Sequence, residues 1–322
     1  MTASRILEFS TTPVFVRLHL GQAILEFEGQ PPVSVPLEDV AVIVVSHPQA
    51  VITNAVYSEF LKLGGAVVIC DRTYNPAGLL LPLVGHTTQQ ERFEAQAAAA
   101  LPLKKQLWRQ IVQAKVSRQA RVLIDRWGSD AGIGEMAKRV RSGDSGNVEA
   151  LAAQRYWPRL FGDPEFRRRR EGDGPNPLLN YGYAVLRAAV ARAICASGLH
   201  PSLGLHHGNR YDAFCLADDL MEPFRPIVDG VVAAVVAERG CQTPVDRESK
   251  IDILSVLTGR FTIKGENRTL FDWLSSTSAS LARIYTGAEE SLELPELSYV
   301  APRKGPVRIQ NHVAAGHVRS TG

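Results

Sequence analysis

The stretch VAVIVVSHPQAVITNAVYSEFLKLGGAVVIC, residues 40–70, decides how the first part of this chain folds. It begins with VAVIVVS, a continuous apolar run that is typical of a strand covered on both faces. A helix is predicted over residues 53–63, and Gly64 and Gly65 separate it from a second buried strand, AVVIC. This strand–helix–strand order predicts a small sheet with one helix packed against it.

Further strands are predicted before this stretch. RILEF, VFVRLHL, AILEFEG and VSVPL are short segments rich in apolar and β-branched residues, and turn-forming residues separate them. From about residue 88 the spacing of apolar residues changes to that of helices, as in the series Leu107, Ile111, Lys115 and Val122. We therefore predict an α+β fold. Its parts are a β-rich N-terminal domain (1–87), a larger all-α catalytic domain (88–295) and a basic, mostly irregular tail (296–322).

Bulk composition is that of an ordinary globular protein, with 45% hydrophobic and 21% charged residues among 322. The net charge of +3 is too small to indicate a nucleic-acid partner by itself. The four cysteines lie far apart without CxxC spacing, which argues against a zinc knuckle and suggests small core residues in a reducing compartment. No signal peptide or bilayer-length apolar run is seen, so we expect a cytoplasmic protein without membrane attachment.

A cluster of metal-ligand residues lies in LGLHHGNRYDAFCLADDLMEPFRP, residues 203–226. Two adjacent histidines precede Asp218, Asp219 and Glu222, and the last two share a face if the segment is helical. Imidazole and carboxylate groups together suit a divalent cation that serves phosphodiester chemistry. The carboxylates favour Mg²⁺, whereas the imidazole favours Mn²⁺. The alternative is a solvated helix start whose acids complement the helix dipole.

LGLHHGN followed by DLMEPFRP resembles the metal-site region of the CRISPR-associated adaptation integrases, the "Cas one" endonuclease family. More motifs of that family occur in the same order: AVVICD (66–71), QLWRQIVQAKVSRQA (106–120), GNVEA (146–150), YWPRLFG (156–162) and NPLLNYGYAVL (176–186). The resemblance covers about residues 5–290. The combination of the motifs HHGN and DDLMEPFRP is most similar to variants that accompany type II CRISPR systems.

The resemblance implies which side chains hold the cation. The family's first metal-binding acid corresponds to Glu149, although a glutamate in a first helical turn is ordinarily explained by the helix dipole. The histidine ligand corresponds to His207, which leaves His206 as a packed or hydrogen-bonded side chain. Glu222 is the third expected ligand, and Asp219 is either a further ligand or an auxiliary carboxylate that supports the ligands.

Two details near Glu222 concern backbone conformation. Asp218 lies about 100° around a helix from Asp219 and is interpreted as an N-cap. Pro223 disfavours the helical conformation for Glu222 unless the helix is kinked there. The sequence leaves this conflict open.

Arginines interleaved with aromatic residues are candidate DNA contacts. They are Arg155, Arg159, Arg167 and Arg168, and Arg225 is close enough to Glu222 to orient its carboxylate or to touch phosphate. Lys104, Lys105, Arg109, Lys115 and Arg118 on the earlier helix are weaker candidates. The alternative is a solvated loop with ordinary exposed charges.

The resemblance implies a metal-dependent DNA integrase and endonuclease that uses Mg²⁺ or Mn²⁺ to insert short fragments at the repeat boundary of a CRISPR array. It also implies a homodimer formed through the β-rich domain, the small adaptation partner ("Cas two"), and cooperation with the type II effector nuclease. One rival is a metal-dependent nuclease that acts on branched DNA in repair. Another is a DNA-binding scaffold without activity.

Overall fold

The computed structural model describes residues 3–71, 76–263 and 266–294. Its N-terminal part consists of short strands and one helix, as the apolar segments separated by turns predicted. The elements are β1 (Arg5–Phe9), β2 (Val14–His19), β3 (Gln22–Glu26), β4 (Val33–Pro36), β5 (Val40–Val45), β6 (Ala50–Ile52), α1 (Asn54–Lys62), β7 (Ala66–Cys70) and β8 (Pro76–Leu80).

These strands form two sheets. One sheet has the order β1-β5-β7-β8, with β1, β5 and β7 parallel and β8 antiparallel to β7, so the predicted strand–helix–strand unit is present. The other has the order β4-β3-β2-β6. The strands β2, β3 and β4 pair with one another as consecutive antiparallel hairpins and so belong to a sheet of their own.

Strand β5 is covered on both faces, as its continuous apolar run predicted. Val42 and Val44 belong to the large core that includes the helices, whereas Ile43 belongs to a second core together with Phe60 of α1. Successive side chains of a strand point to opposite faces, so β5 joins the two cores.

The rest of the described chain is mainly helical, which confirms the α+β class. The elements are α2 (Gln89–Ala98), α3 (Leu101–Trp127), α4 (Ile133–Ala137), α5 (Val148–Phe161), α6 (Asn176–Ala196), α7 (Cys215–Met221), α8 (Arg225–Arg239), α9 (Arg247–Leu257), β9 (Arg260–Ile263), β10 (Glu266–Thr269) and α10 (Leu270–Tyr285). The antiparallel pair of β9 and β10 departs from the expected all-α arrangement. The boundary proposed at residues 87 and 88 falls between β8 and α2.

Helix α6 lies at the centre of the helical part and packs on α8 and α9. Gly182 allows this approach, because a Cβ atom there would lie 2.5 Å from Val228 and 3.0 Å from Ile253. The segment around Gly182 therefore serves packing beside the candidate site.

A buried ion pair connects the N-terminal sheet to the helices. Glu8 of β1 accepts a hydrogen bond of 3.0 Å from the Tyr181 hydroxyl of α6, and its carboxylate lies 3.2 Å from Lys250 Nζ of α9. Lys250 also lies 5.5 Å from the centre of the Tyr181 ring. These three side chains are buried, so their polar contacts with one another lie inside the protein.

Across the described ranges, none of the helices combines the length and apolar character needed to cross a bilayer. The predicted basic tail at 296–322 lies outside the described residues.

Candidate metal centre

Glu149 stands in the first turn of α5, and an aspartate fixes that turn. The backbone N–H groups of Val148 and Glu149 donate to the two carboxylate oxygens of Asp144, at 2.9 and 3.0 Å. Asp144 therefore satisfies two donors that a helix start leaves without backbone partners. These two hydrogen bonds fix the start of α5, which carries Glu149.

Glu222 stands at a break between two helices. Helix α7 passes into a 3-10 turn over Glu222–Phe224, and α8 begins at Arg225. Glu222 has φ −52° and ψ −45°, so it keeps helical angles although Pro223 follows it. The change of helix type at this point resolves the conflict that the sequence left open.

Asp218 is not the N-cap of α7, contrary to the sequence interpretation. Phe214 occupies that position, and Asp218 lies inside the helix. The Asp218 carboxylate accepts two hydrogen bonds from the Arg187 guanidinium of α6, at 2.6 and 2.7 Å. This bidentate pairing with a residue of a neighbouring helix could not be predicted from the local sequence.

A lysine joins the two glutamates predicted to hold a metal. Lys115 Nζ, from the middle of α3, lies 2.6 Å from Glu149 Oε1 and 2.5 Å from Glu222 Oε2. Arg225 Nε lies 2.7 Å from the other oxygen of Glu222. The structure thus brings Glu149 and Glu222, which are distant in sequence, into contact with one ammonium group.

The charges around Glu222 keep it ionised. Burial alone would raise its pKa, but the cations Arg225 and Lys115 outweigh burial and lower the pKa to about 2. For Lys115, burial alone would lower the pKa, and the negative charges of Glu222 and Glu149 raise it overall. Glu222 and Lys115 are therefore both charged at neutral pH.

Asp219 orients the candidate histidine. Its buried carboxylate accepts hydrogen bonds from the backbone N–H groups of Leu205 (2.6 Å), His206 (2.9 Å) and His207 (3.3 Å), and its Oδ1 lies 2.5 Å from His207 Nδ1. Gly204 permits the loop to wrap around Asp219, since a Cβ atom there would collide with the carbonyl oxygen of His207. The oxygens of Asp219 are thus occupied within the protein.

The contact with Asp219 also favours the protonated imidazole. The hydrogen bond to Asp219 raises the pKa of His207, outweighing burial, and the charges of Glu222 and Glu149 raise it further. A carboxylate bonded to one imidazole nitrogen is the usual support for a histidine that binds metal through the other.

His206 has a different environment. Its ring stacks on the buried Trp108 ring, with centroids 4.4 Å apart and planes within 2°. His207 meets the same indole edge-on, at 5.5 Å. The stacking agrees with the packing role assigned to His206.

The donor set fits a divalent cation, with one rearrangement. Within residues 3–71, 76–263 and 266–294, no three His, Cys, Asp or Glu side chains already form a close metal cage. Instead the Lys115 ammonium contacts both glutamates, so a cation held by both carboxylates would have to displace it. Two carboxylates and an imidazole are suitable ligands for Mg²⁺ or Mn²⁺.

The arginines predicted from the sequence fall into two groups. Arg155, Arg159 and Arg167 are exposed. Arg168 is half-buried and donates to Asn180 at 2.7 Å, and its guanidinium lies 5.3 Å from the Tyr183 ring. Arg225 lies 4.4 Å from the centre of the same Tyr183 ring, and it also contacts the Glu222 carboxylate.

A cavity of about 620 Å³ opens beside the site, between the edge of the β7–β8 pair and helices α6 and α7. Its lining includes four arginines, namely Arg168, Arg170, Arg187 and Arg225. Arg170 belongs to the run of four arginines, residues 167–170, that was weighed for DNA contact, whereas Arg187 was not singled out from the sequence. Arg187 is one of two charged residues on the otherwise largely apolar α6, the other being Arg192, and this was the available signal.

Lys115 is the functional residue that sequence reasoning most clearly missed. It was placed in the apolar stripe of α3 with Leu107 and Ile111 and was otherwise considered a weak DNA contact. Those two neighbours are fully buried, and a lysine in line with them must find negative partners inside the protein. The need for negative partners could be inferred from the sequence, but the identity of those partners depends on the tertiary structure.

Comparisons with known proteins agree with these features. A sequence profile described as "CRISPR associated protein Cas1" matches residues 9–250. The CRISPR-associated endonuclease Cas1 of Neisseria meningitidis serogroup C (strain 8013) is 35% identical over 271 residues, which cover 82% of this chain and 87% of that protein.

Two solved structures share the fold. One is a casposase bound to an integration product, with a TM-score of 0.75 and 20% identity over 95% of this chain and 98% of that chain. The other is a Cas6-RT-Cas1--Cas2 complex, with a TM-score of 0.72 and 17% identity over 94% of this chain and 37% of a longer one.

Proposed function

The chain belongs to the Cas1 family of CRISPR-associated proteins, and from that premise we propose that it is a metal-dependent DNA integrase and endonuclease of CRISPR adaptation. Its reaction would insert a short DNA fragment at the repeat boundary of the array. The resemblance of HHGN and DDLMEPFRP to type II variants supports a type II system.

One observation carries the proposal. Glu149 and Glu222, from different helical segments, both contact the Lys115 ammonium, and the charges of both raise the pKa of His207, whose ring contacts Asp219. We assign Glu149, Glu222 and His207 as the metal ligands and Asp219 as the residue that orients His207. A divalent cation bound there would polarise a phosphoryl oxygen and offset the negative charge of the transition state.

In the proposed reaction the 3′-hydroxyl of the incoming fragment attacks a phosphorus atom of the array. A new P–O bond forms, the P–O3′ bond of the array breaks, and a free 3′-hydroxyl is released. One phosphodiester replaces another, so the step needs no external energy source. Arg225 holds Glu222 ionised and in place, and Asp219 keeps the Nδ1 side of His207 occupied, which leaves Nε2 as the nitrogen for coordination.

The DNA would lie across the arginine-rich surface next to this centre. Arg155, Arg159 and Arg167 are exposed and suited to phosphate contacts, and the cavity lined by Arg168 and Arg225 adjoins the ligand Glu222. The Arg168 guanidinium already donates to the side-chain oxygens of Asn176 and Asn180. Its proposed role is therefore to place positive charge at the cavity wall rather than to contact DNA directly.

The proposed partners are DNA and a small Cas2-type protein, with the chain itself acting as a homodimer. Similarity to the Cas1–Cas2 complex and to the casposase with its integration product supports the first two. We propose that residues 1–87 form the dimerisation domain, that residues 88–295 form the catalytic domain, and that the type II effector nuclease cooperates in choosing fragments.

The test is strand transfer of a labelled duplex with a free 3′-hydroxyl into a supercoiled plasmid that carries an array, with the Cas2-type partner present. We expect joined product in Mg²⁺ or Mn²⁺. Glu149→Ala should lower the yield more than about 100-fold, because a lost ligand should harm the site at least as much as a lost supporting residue. Glu165→Ala, at an exposed glutamate, is the control and should behave as the wild type.

Cleavage of branched DNA without any joining would instead support the repair nuclease. Unchanged strand transfer by Glu149→Ala in Mn²⁺ would contradict the ligand assignment. Wild-type binding of both DNAs without reaction would support an inactive scaffold.

A further inference from the structure

Lys115 is an unusual occupant of a metal centre. Its side chain is only 13% exposed, and its ammonium contacts both glutamates that would share the cation, at 2.6 Å and 2.5 Å. Glu149 is 25% and Glu222 8% exposed, so little solvent separates the three charges. A charge in such a place is tolerated only when opposite charges compensate it.

The two carboxylates depend on this lysine to different degrees. Glu222 has Arg225 on its other oxygen, at 2.7 Å, whereas the ion pair described for Glu149 is with Lys115. Without a cation between them, two carboxylates held this close would repel each other. The lysine therefore does more than fill space, because it holds together the ends of two elements that are far apart in sequence.

We propose that Lys115 is a built-in counter-cation of the metal centre. It keeps Glu149 and Glu222 converged before a divalent cation binds, and it gives up its place when the cation arrives. The inference rests on the proposed function, since it takes these glutamates as the metal ligands. Lys115 is thus a positioning residue that competes with the metal.

If Lys115 competes with the divalent cation, replacing it should change metal affinity in a way that replacing a purely structural lysine would not. Removing the ammonium should destabilise the metal-free protein, because the two carboxylates lose their shared partner. The same change should tighten binding of the divalent cation, on the order of tenfold to a hundredfold, because hydrogen bonds to a charged group no longer have to be broken.

Calorimetric titration with Mn²⁺ alone, without DNA, tests this on the full chain. Lys115→Met should bind Mn²⁺ more tightly than the wild type, melt at a lower temperature without metal, and gain more in melting temperature on adding Mn²⁺. Lys138→Met is the matched control, since Lys138 pairs with Glu135 at the exposed surface. It should leave Mn²⁺ binding unchanged, and Glu149→Ala should abolish it.

Equal or weaker Mn²⁺ binding by Lys115→Met, with Glu149→Ala still abolishing wild-type binding, would overturn the inference and leave the proposed metal site intact. Wild-type binding that survives Glu149→Ala would overturn both.

A second measurement avoids the risk that Lys115→Met does not fold. Reductive methylation of wild-type lysines, read by peptide mass spectrometry, should modify Lys115 only when Mg²⁺ is present. Lys138 should react equally in both conditions. Protection of Lys115 in saturating Mg²⁺ would contradict its release.

Discussion

At the scale of single residues, Asp219 decides how the histidine is presented. It is fully buried, and backbone N–H groups from three successive residues converge on it together with the His207 ring. A carboxylate with so many donors is held in one orientation, and the imidazole that it contacts is held with it. The loop containing His207 is thus built around an acid that the sequence placed on the same helix face as Glu222.

Replacing Asp219 by asparagine should weaken metal binding while keeping nearly the same shape. The amide has one acceptor oxygen in place of two, so it loses both a loop contact and the charge that orients His207. We expect Mn²⁺ affinity to fall about 10- to 100-fold, the range typical for supporting groups of metal ligands. Calorimetric titration measures this.

Asp252→Asn provides the control, because Asp252 pairs with Arg239 away from the site, at 2.6 Å. Wild-type Mn²⁺ affinity in a folded Asp219→Asn protein would show that Asp219 does not orient a ligand.

At the scale of elements, the first turn of α5 is the structure that delivers Glu149. Asp144→Ala removes the acceptor for two backbone N–H groups at that turn. We expect a loss of about 0.5–2 kcal/mol in the free energy of unfolding, the usual range for a lost helix cap, measured by urea denaturation. Mn²⁺ affinity should fall as well, because the turn that carries the ligand becomes less ordered.

Asp130 offers a matched comparison. Its carboxylate accepts from the backbone N–H groups of Gly132 and Gly134 at the start of α4, both at 2.9 Å, and α4 carries none of the proposed ligands. Asp130→Ala should therefore cost similar stability and leave Mn²⁺ affinity unchanged. Equal effects of both variants on the metal would show that the α5 turn has no special connection with the site.

At the scale of the whole molecule, the Glu8–Lys250 pair ties the N-terminal sheet to the helical core. Glu8→Leu or Lys250→Met alone removes one member of this buried ion pair, and breaking a buried pair typically costs about 3–5 kcal/mol. The double variant removes both charges and should be more stable than either single variant, although the Tyr181 hydroxyl loses its acceptor. Urea denaturation of the four proteins measures this, and a double variant as unstable as the sum of the singles would contradict coupling of the pair.

How far the sequence predicted this molecule depended on whether the signal was local. The continuous apolar run of β5 predicted a strand covered on both faces, and helical spacing predicted the position of α3. Division of the strands into two sheets was missed, because pairing between segments is not encoded in any one segment. The Asp218–Arg187 contact was missed for the same reason.

In the candidate site too, some features had a signal in the sequence and others depended on tertiary contacts. Resemblance to a family pointed to Glu149, His207 and Glu222, and Asp219 was noticed but its task was left open. Its contacts come from a loop 12 to 14 residues away in sequence, so only the folded chain could define them. The bridging contacts of Lys115 form only where α3, the start of α5 and the turn after α7 meet. The spacing of residues along α3 alone cannot predict this meeting.

The central claim is that Glu149, His207 and Glu222 share one divalent cation. Anomalous diffraction from crystals of the full chain soaked in Mn²⁺ tests it most directly. We predict one manganese peak contacted by these three side chains, with the Lys115 ammonium no longer between the glutamates. A peak bound by other residues, or Lys115 still bridging Glu149 and Glu222 at saturating Mn²⁺, would contradict the account.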